Sequence, residues 1–381
     1  MNRRIAVIGA GAFGGWTALH LLRQGARVVL LDAWGPGNSR ASSGGDTRVI
    51  RAIYGPDARY VKMAARALHL WRENEARWKQ RLYHQTGALW MVKARDTYVQ
   101  SALPFLREYG LDCEELSPGA AGQRYPQINL DGIASLLLEK DAGYLTARRA
   151  CEAVLEAFLR EGGEYRQALV QPPVIAGGEL REIKLHDGCS LIAGKFVFAC
   201  GPWMGTVFPE MGELIYVTRQ EVFFFGTPPG DARFSEENMP VCMEKEDNFL
   251  YAIPGNQGRG FKVADDTRGT RFEPTSGERV PSAQGLQTAR SYLAYRFPAL
   301  QDAPLLEARV CQYENTPDGH FILDRHPAAS NVWLAGGGSG HGFKHGPAVG
   351  EMLSQMVLSD SPADPFFALS RFAGIEPRPR P

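Results

Sequence analysis

The chain has 381 residues, room for about two domains at the usual ~100–200 residues each. Hydrophobic residues make up 44% and charged residues 22%, a composition that supports a packed core and argues against disorder. Lys+Arg and Asp+Glu both number 42, so there is no net field to favour nucleic acid as the main partner, although local positive pockets remain possible.

Ile5 to Ile8 reads as a short apolar strand. Behind Met1-Asn2-Arg3-Arg4 it imitates a signal peptide, but Gly9, Gly11, Gly14 and Gly15 break the apolar run, which reads as mature structure. A helical pattern follows through Trp16, Leu19, Leu21 and Leu22, with Gly25 as its stop. Val28 to Leu31 forms the next strand and ends at Asp32, completing a β-α-β unit. Further helices are predicted over 57–79, 146–160, 282–297 and about 346–358, and strands over 87–92, 133–138, 196–199 and 332–335. Residues 216–263 are rich in strand formers broken by Pro and Gly, and the Pro-rich tail is expected to be loose.

No apolar run approaches the ~20 residues needed to cross a bilayer. The six cysteines (113, 151, 189, 200, 242 and 311) include no C-x-x-C pair, which gives a metal site no support and suits the cytoplasm. The expected fold class is α/β: a Rossmann-like nucleotide-binding domain with an inserted β-rich α+β substrate domain. Residues 1–84, 147–214 and 310–381 are assigned to the first domain, and 85–146 and 215–309 to the second.

Gly9-x-Gly11-x-x-Gly14 lies between a strand and a helix, the setting in which such glycines admit a dinucleotide diphosphate. The helix N-terminus then faces the phosphates. Asp32, 18 positions after Gly14, is placed to accept ribose hydroxyls and disfavours a 2′-phosphate. These residues alone leave NAD and FAD open.

Two later segments decide for the flavin. Ser42-Ser43-Gly44-Gly45-Asp46-Thr47-Arg48-Val49-Ile50-Arg51 is the first. The second pairs Cys311-Gln312-Tyr313-Glu314-Asn315-Thr316-Pro317-Asp318 with Ser339-Gly340-His341-Gly342-Phe343-Lys344. Together they make the sequence resemble the sarcosine oxidase family of FAD-dependent amine oxidases, which includes N-methyltryptophan and pipecolate oxidases. The resemblance runs from the first strand to the last helix.

It implies FAD joined by an 8α-thioether to Cys311. Ser42, Ser43, Thr47, Gly340, Gly342 and Phe343 are expected at the cofactor, with Arg48 beside the flavin ring. Arg51 and Lys344 are implied as the anchors of a substrate carboxylate, a role suited to the planar guanidinium. Lys262 matches the lysine that promotes reaction with O2. Tyr251 aligns with a pocket tyrosine but reads equally well as a core residue. Cys200-Gly201-Pro202-Trp203 matches a flavin-contacting turn, in which Cys200 can be simply a packed thiol.

Sarcosine oxidases commonly carry a histidine before Gly-Asp-Thr-Arg and another four residues after the oxygen-activating lysine. Here Gly44 and Asp266 stand in those places, the latter beside Asp265. A pocket that loses imidazoles and gains a carboxylate suggests an amino or imino acid other than sarcosine, with Asp266 meeting an amine or ring N–H; a solvated turn residue is the alternative. The expected protein is an oxidase of secondary, N-methyl or cyclic amino acids that reduces O2 to H2O2. It is read as more often monomeric, with neither nucleic-acid nor membrane partners. A flavin dehydrogenase with another acceptor and a non-catalytic dinucleotide-binding protein remain as rivals.

Overall fold

The Arg4–Ile8 strand lies at the centre of a sheet, and its apolar residues are buried on both faces, as a parallel strand between helical layers requires. The computed structural model describes residues 4–93, 97–245 and 249–374. Residues 1–3 and the Pro-rich tail lie outside them. The strand pairs in parallel with Arg27–Asp32 on one side and Lys195–Phe198 on the other. Val332–Gly336 and Glu164–Gln167 extend this sheet in parallel, and Ile322–Arg325 closes one edge antiparallel. The Ala12–Arg23 helix joins the first two strands and packs against the Gly346–Ser359 and Ala147–Arg160 helices. Trp16 anchors that layer, stacked on Trp78 at 5.6 Å and meeting Trp71 edge-on at 5.1 Å.

A second sheet has eight strands. In spatial order they are Leu305–Asn315, Tyr216–Phe225, Phe261–Asp265, Phe249–Ile253, Val241–Lys245, Ala88–Val92, Ser135–Glu139 and Cys113–Leu116. The pairing is antiparallel except between Val241–Lys245 and Ala88–Val92. One face carries Phe223, Phe225 and Phe261 into a core shared with Phe297. Arg296, fully buried, ties the Ala283–Arg296 helix to this sheet through a two-point ion pair with Glu244. A small three-stranded sheet of Thr47–Ile50, Gly143–Thr146 and Tyr83–His84 holds the Arg48–Arg51 segment.

The predicted helices are present as Ala58–Trp78, Ala147–Arg160, Ala283–Arg296 and Gly346–Ser359. Asp57 and Ser282 cap the first and third with side-chain oxygens, which explains starts one residue inside the expected bounds. The Tyr98–Glu108 helix was not anticipated, because Pro104 in its interior reads as a breaker. The Thr47–Ile50 and Gly143–Thr146 strands carry too few residues for their alternation to register.

Candidate active site

The first glycine turn is built on close backbone approach. Gly9 takes φ +105°, and a Cβ at Gly14 would lie 1.9 Å from the Gly9 carbonyl oxygen. Asp32 holds this turn from the neighbouring strand. One carboxylate oxygen accepts the Ala10 N–H at 2.8 Å, and the other accepts those of Trp34 at 2.9 Å and Gly35 at 2.8 Å. Burial raises the Asp32 carboxyl above its ordinary range, and the three N–H groups oppose that shift. Ribose recognition was the role read from the sequence; the structure gives this residue a backbone task as well.

Gly9, Gly11 and Asp32 line a cavity of about 400 Å³ that continues past Gly201 to Tyr313 and Gly340. Ser42, Ser43, Cys200, Trp203, Gly342 and Phe343 also line it, whereas Gly14 packs behind the turn. Trp203 is fixed by a 2.9 Å bond to Thr275 and by contact with Trp34 at 4.7 Å. Cys200 is a packed thiol near the Ile8 carbonyl, and burial pushes it well up. Two buried polar atoms of the lining, Ser42 Oγ and Glu314 Oε2, have no protein partner. A cavity with a glycine turn at one end, unpaired polar atoms in its lining and Arg48 at the other end fits FAD.

At the second end Arg48 donates to Cys311 Sγ at 3.1 Å and to the Ser42 carbonyl at 2.7 Å. Cys311 is a partly buried free thiol, facing Gln220 across the sheet. Lys262 is 1% exposed, and its ammonium donates to the Thr47 carbonyl at 3.0 Å. It therefore stands behind the wall formed by Arg48 and Tyr251 rather than lining either cavity. Burial, then the Arg48 charge, lowers the Lys262 amine to about 7.

A smaller chamber of about 40 Å³ adjoins this end and shares Arg48, Tyr313, Gly340 and Phe343 with the large cavity. Arg51, Lys344, Tyr251 and Asp266 line it. The Arg51 guanidinium is bonded to the Ile53 carbonyl and lies over the Tyr54 ring at 4.6 Å and the Trp90 ring at 5.2 Å. Lys344 points inward and is 4% exposed. It donates to Tyr54 Oη at 2.9 Å and to the His341 carbonyl at 2.8 Å. Burial, reinforced by Arg51, holds its amine well below the usual range. Three basic side chains, Arg48, Arg51 and Lys344, face this chamber against one carboxylate, Asp266, and an anion bound there would offset the burial that disfavours the Lys344 charge.

Asp266 is partly buried and accepts the Tyr313 hydroxyl at 2.5 Å, so it is not a solvated turn residue. Burial raises its carboxyl; Tyr313, Arg51 and Lys344 oppose that. At Gly44 a Cβ would lie 1.9 Å from the Asn38 carbonyl oxygen, so this backbone admits no histidine there.

Sequence reasoning missed Tyr54, His341 and Glu314 as members of the site. His341 Nε2 lies 3.0 Å from the Gly319 carbonyl, which only accepts, so its Nδ1 is free to accept the Tyr54 hydroxyl at 3.1 Å. Tyr54 thereby joins Lys344 to His341 and His345. Tyr54 carries no local motif; His341 and Glu314 sit inside strings already singled out.

The family described as FAD dependent oxidoreductase matches residues 4–356. The monomeric sarcosine oxidase of Streptomyces avermitilis is 30% identical over 368 residues, 95% of each chain. The N-methyl-L-tryptophan oxidase of Salmonella typhi is 28% identical over 386 residues, covering 98% of this chain and all of that one. In fold, the L-proline dehydrogenase from P. horikoshii superposes with a TM-score of 0.86 over 99% of both chains at 20% identity. With a match of that extent on the cavity and glycine turn described, the chain belongs to the FAD-dependent oxidoreductase family.

Proposed function

We propose that the protein is an FAD-dependent oxidase of a secondary, N-methyl or cyclic amino acid bulkier than sarcosine. The observation that carries this is the pair of buried cations, Arg51 and Lys344, lining one small chamber beside the flavin end of the large cavity. They bind the substrate carboxylate, and Arg51 supplies a planar two-point donor. Tyr54 orients the Lys344 ammonium. Asp266 faces the same chamber and accepts the donor of the amine or ring N–H, with Tyr313 fixing its carboxylate. This holds the C–N bond in one orientation and excludes water.

FAD, when bound, would supply the two-electron acceptor for oxidation of the C–N bond to the imine and the donor for reduction of O2 to H2O2. Lys262 supplies positive charge near the site of oxygen reduction. The Cys311 sulfur, hydrogen-bonded by Arg48, is the attachment point for an 8α-thioether. Six unpaired thiols support a reducing compartment such as the cytoplasm. No helix among the described residues is long and apolar enough to cross a membrane.

A peroxide assay over sarcosine, larger N-methyl amino acids, proline, pipecolate, cyclic imino acids and primary amino acids tests this reading. Turnover is expected to favour the larger secondary or cyclic acids, and Asp266→Asn is expected to change the order of preference. Flavin reduction by substrate with no peroxide would instead assign a dehydrogenase. Sarcosine as the best substrate, with Asp266→Asn unaltered, would overturn the substrate class.

A further inference from the structure

Glu314 follows Tyr313 on the strand that carries Cys311, and its side chain lines the large cavity beside Gly201 and Gly338. It is 9% exposed. Oε1 accepts a long bond of 3.3 Å from the Gly338 N–H, while Oε2 is buried with no protein partner. A Cβ placed on Gly201 would lie 2.9 Å from Oε2, so the carboxyl group abuts the turn that closes this part of the cavity. The neighbours offer no counter-charge. The turn after Lys195–Phe198 brings the Cys200 thiol, the 338–339 turn brings backbone N–H groups, and Val217 faces Glu314 across the sheet. Among the described residues no Arg, Lys or His forms a hydrogen bond or ion pair with it.

We propose that Glu314 holds the polar chain of FAD, between the flavin ring and the adenine nucleotide, as an un-ionised acid donating its Oε2–H to a ribityl hydroxyl or diphosphate oxygen. An ionised carboxylate there has no cation to stabilise it, and it faces the like charge of a diphosphate held at the Gly9 turn. Burial already pushes this carboxyl up to about 7, with the Gly338 N–H offsetting only part of the shift. The bound diphosphate acts in the same direction as burial. The acid form is therefore in place below about pH 7, and above it FAD binding must take up one proton, weakening about tenfold per pH unit. The assignment rests on FAD as cofactor and is independent of the substrate.

The test uses the full chain with Cys311→Ala, so that binding is reversible, stripped of flavin and titrated with FAD from about pH 6 to about pH 9. The dissociation constant is expected to be flat at the acid end and to climb above about 7. Adding Glu314→Gln, which keeps a donor without an ionisable group, is expected to flatten the profile and bind at least tenfold tighter than its parent at the alkaline end. In weak buffer at the alkaline end, the parent takes up one proton per FAD and the Gln variant takes up none. Identical pH profiles for the two proteins, or no proton uptake by the parent, would overturn the proposal.

Discussion

Lys262 is a buried amine whose charge is finely balanced, because burial and Arg48 bring its proton affinity down to about 7. Its ammonium is complete below that value and is lost as pH rises through it. An anionic reduced cofactor moves the transition upward without changing its sign. The rate of the reduced enzyme with O2 is thus expected to fall with rising pH, and Lys262→Met is expected to be about 10²-fold slower with no such fall. Stopped-flow reoxidation across pH checks this, and a Met variant keeping the parent's profile would remove Lys262 from the oxygen reaction. Cys311 gives a simpler outcome. Acid precipitation is expected to leave the yellow colour in the pellet of the parent protein and in the supernatant of Cys311→Ala, and a colourless parent pellet would remove the thioether. At this scale the gathering of Arg48, Arg51 and Lys344 around the cavities was legible because each sits in a string with fixed neighbours. Tyr54 was not, because its partners His341, Lys344 and His345 come from the other end of the chain.

The glycine turn shows how much an element depends on one missing atom. Gly14→Ala places a Cβ 1.9 Å from the Gly9 carbonyl oxygen, so the Ala12–Arg23 helix must move off the strand. The expected cost is about 1–3 kcal/mol of stability, together with a lower flavin-to-protein ratio. Gly15→Ala is the milder comparison: its Cβ comes no closer than 3.3 Å to the Val154 side chain and 3.7 Å to the Ala10 carbonyl oxygen, and normal flavin content is expected. Equal flavin loss in both variants would refute the steric account. Long elements with caps, such as Ala58–Trp78, were legible because their apolar period repeats over many turns. The Pro104 helix and the four-residue strands take their stability from tertiary pairing, which leaves little local trace.

For the whole molecule, Arg296 and Glu244 bind the Ala283–Arg296 helix to the eight-stranded sheet away from either cavity. Glu244→Ala leaves a buried guanidinium without its counter-ion, at an expected cost of about 3–5 kcal/mol. A lower melting temperature with an unchanged flavin spectrum is the expected reading, and an unshifted melting temperature would show the pair to be dispensable. The order of strands also bears on synthesis. Arg4–Ile8 pairs with Lys195–Phe198, which pairs with Val332–Gly336. On the ribosome one edge of the first strand is taken early by Arg27–Asp32, but its other edge waits for Lys195–Phe198, and that strand waits for Val332–Gly336. The second glycine turn, at 336–342, is made long after the first, so the cavity that the two share is complete only once the late strand has met the early one. FAD is therefore expected to be held tightly only by a chain in which that late strand is in place.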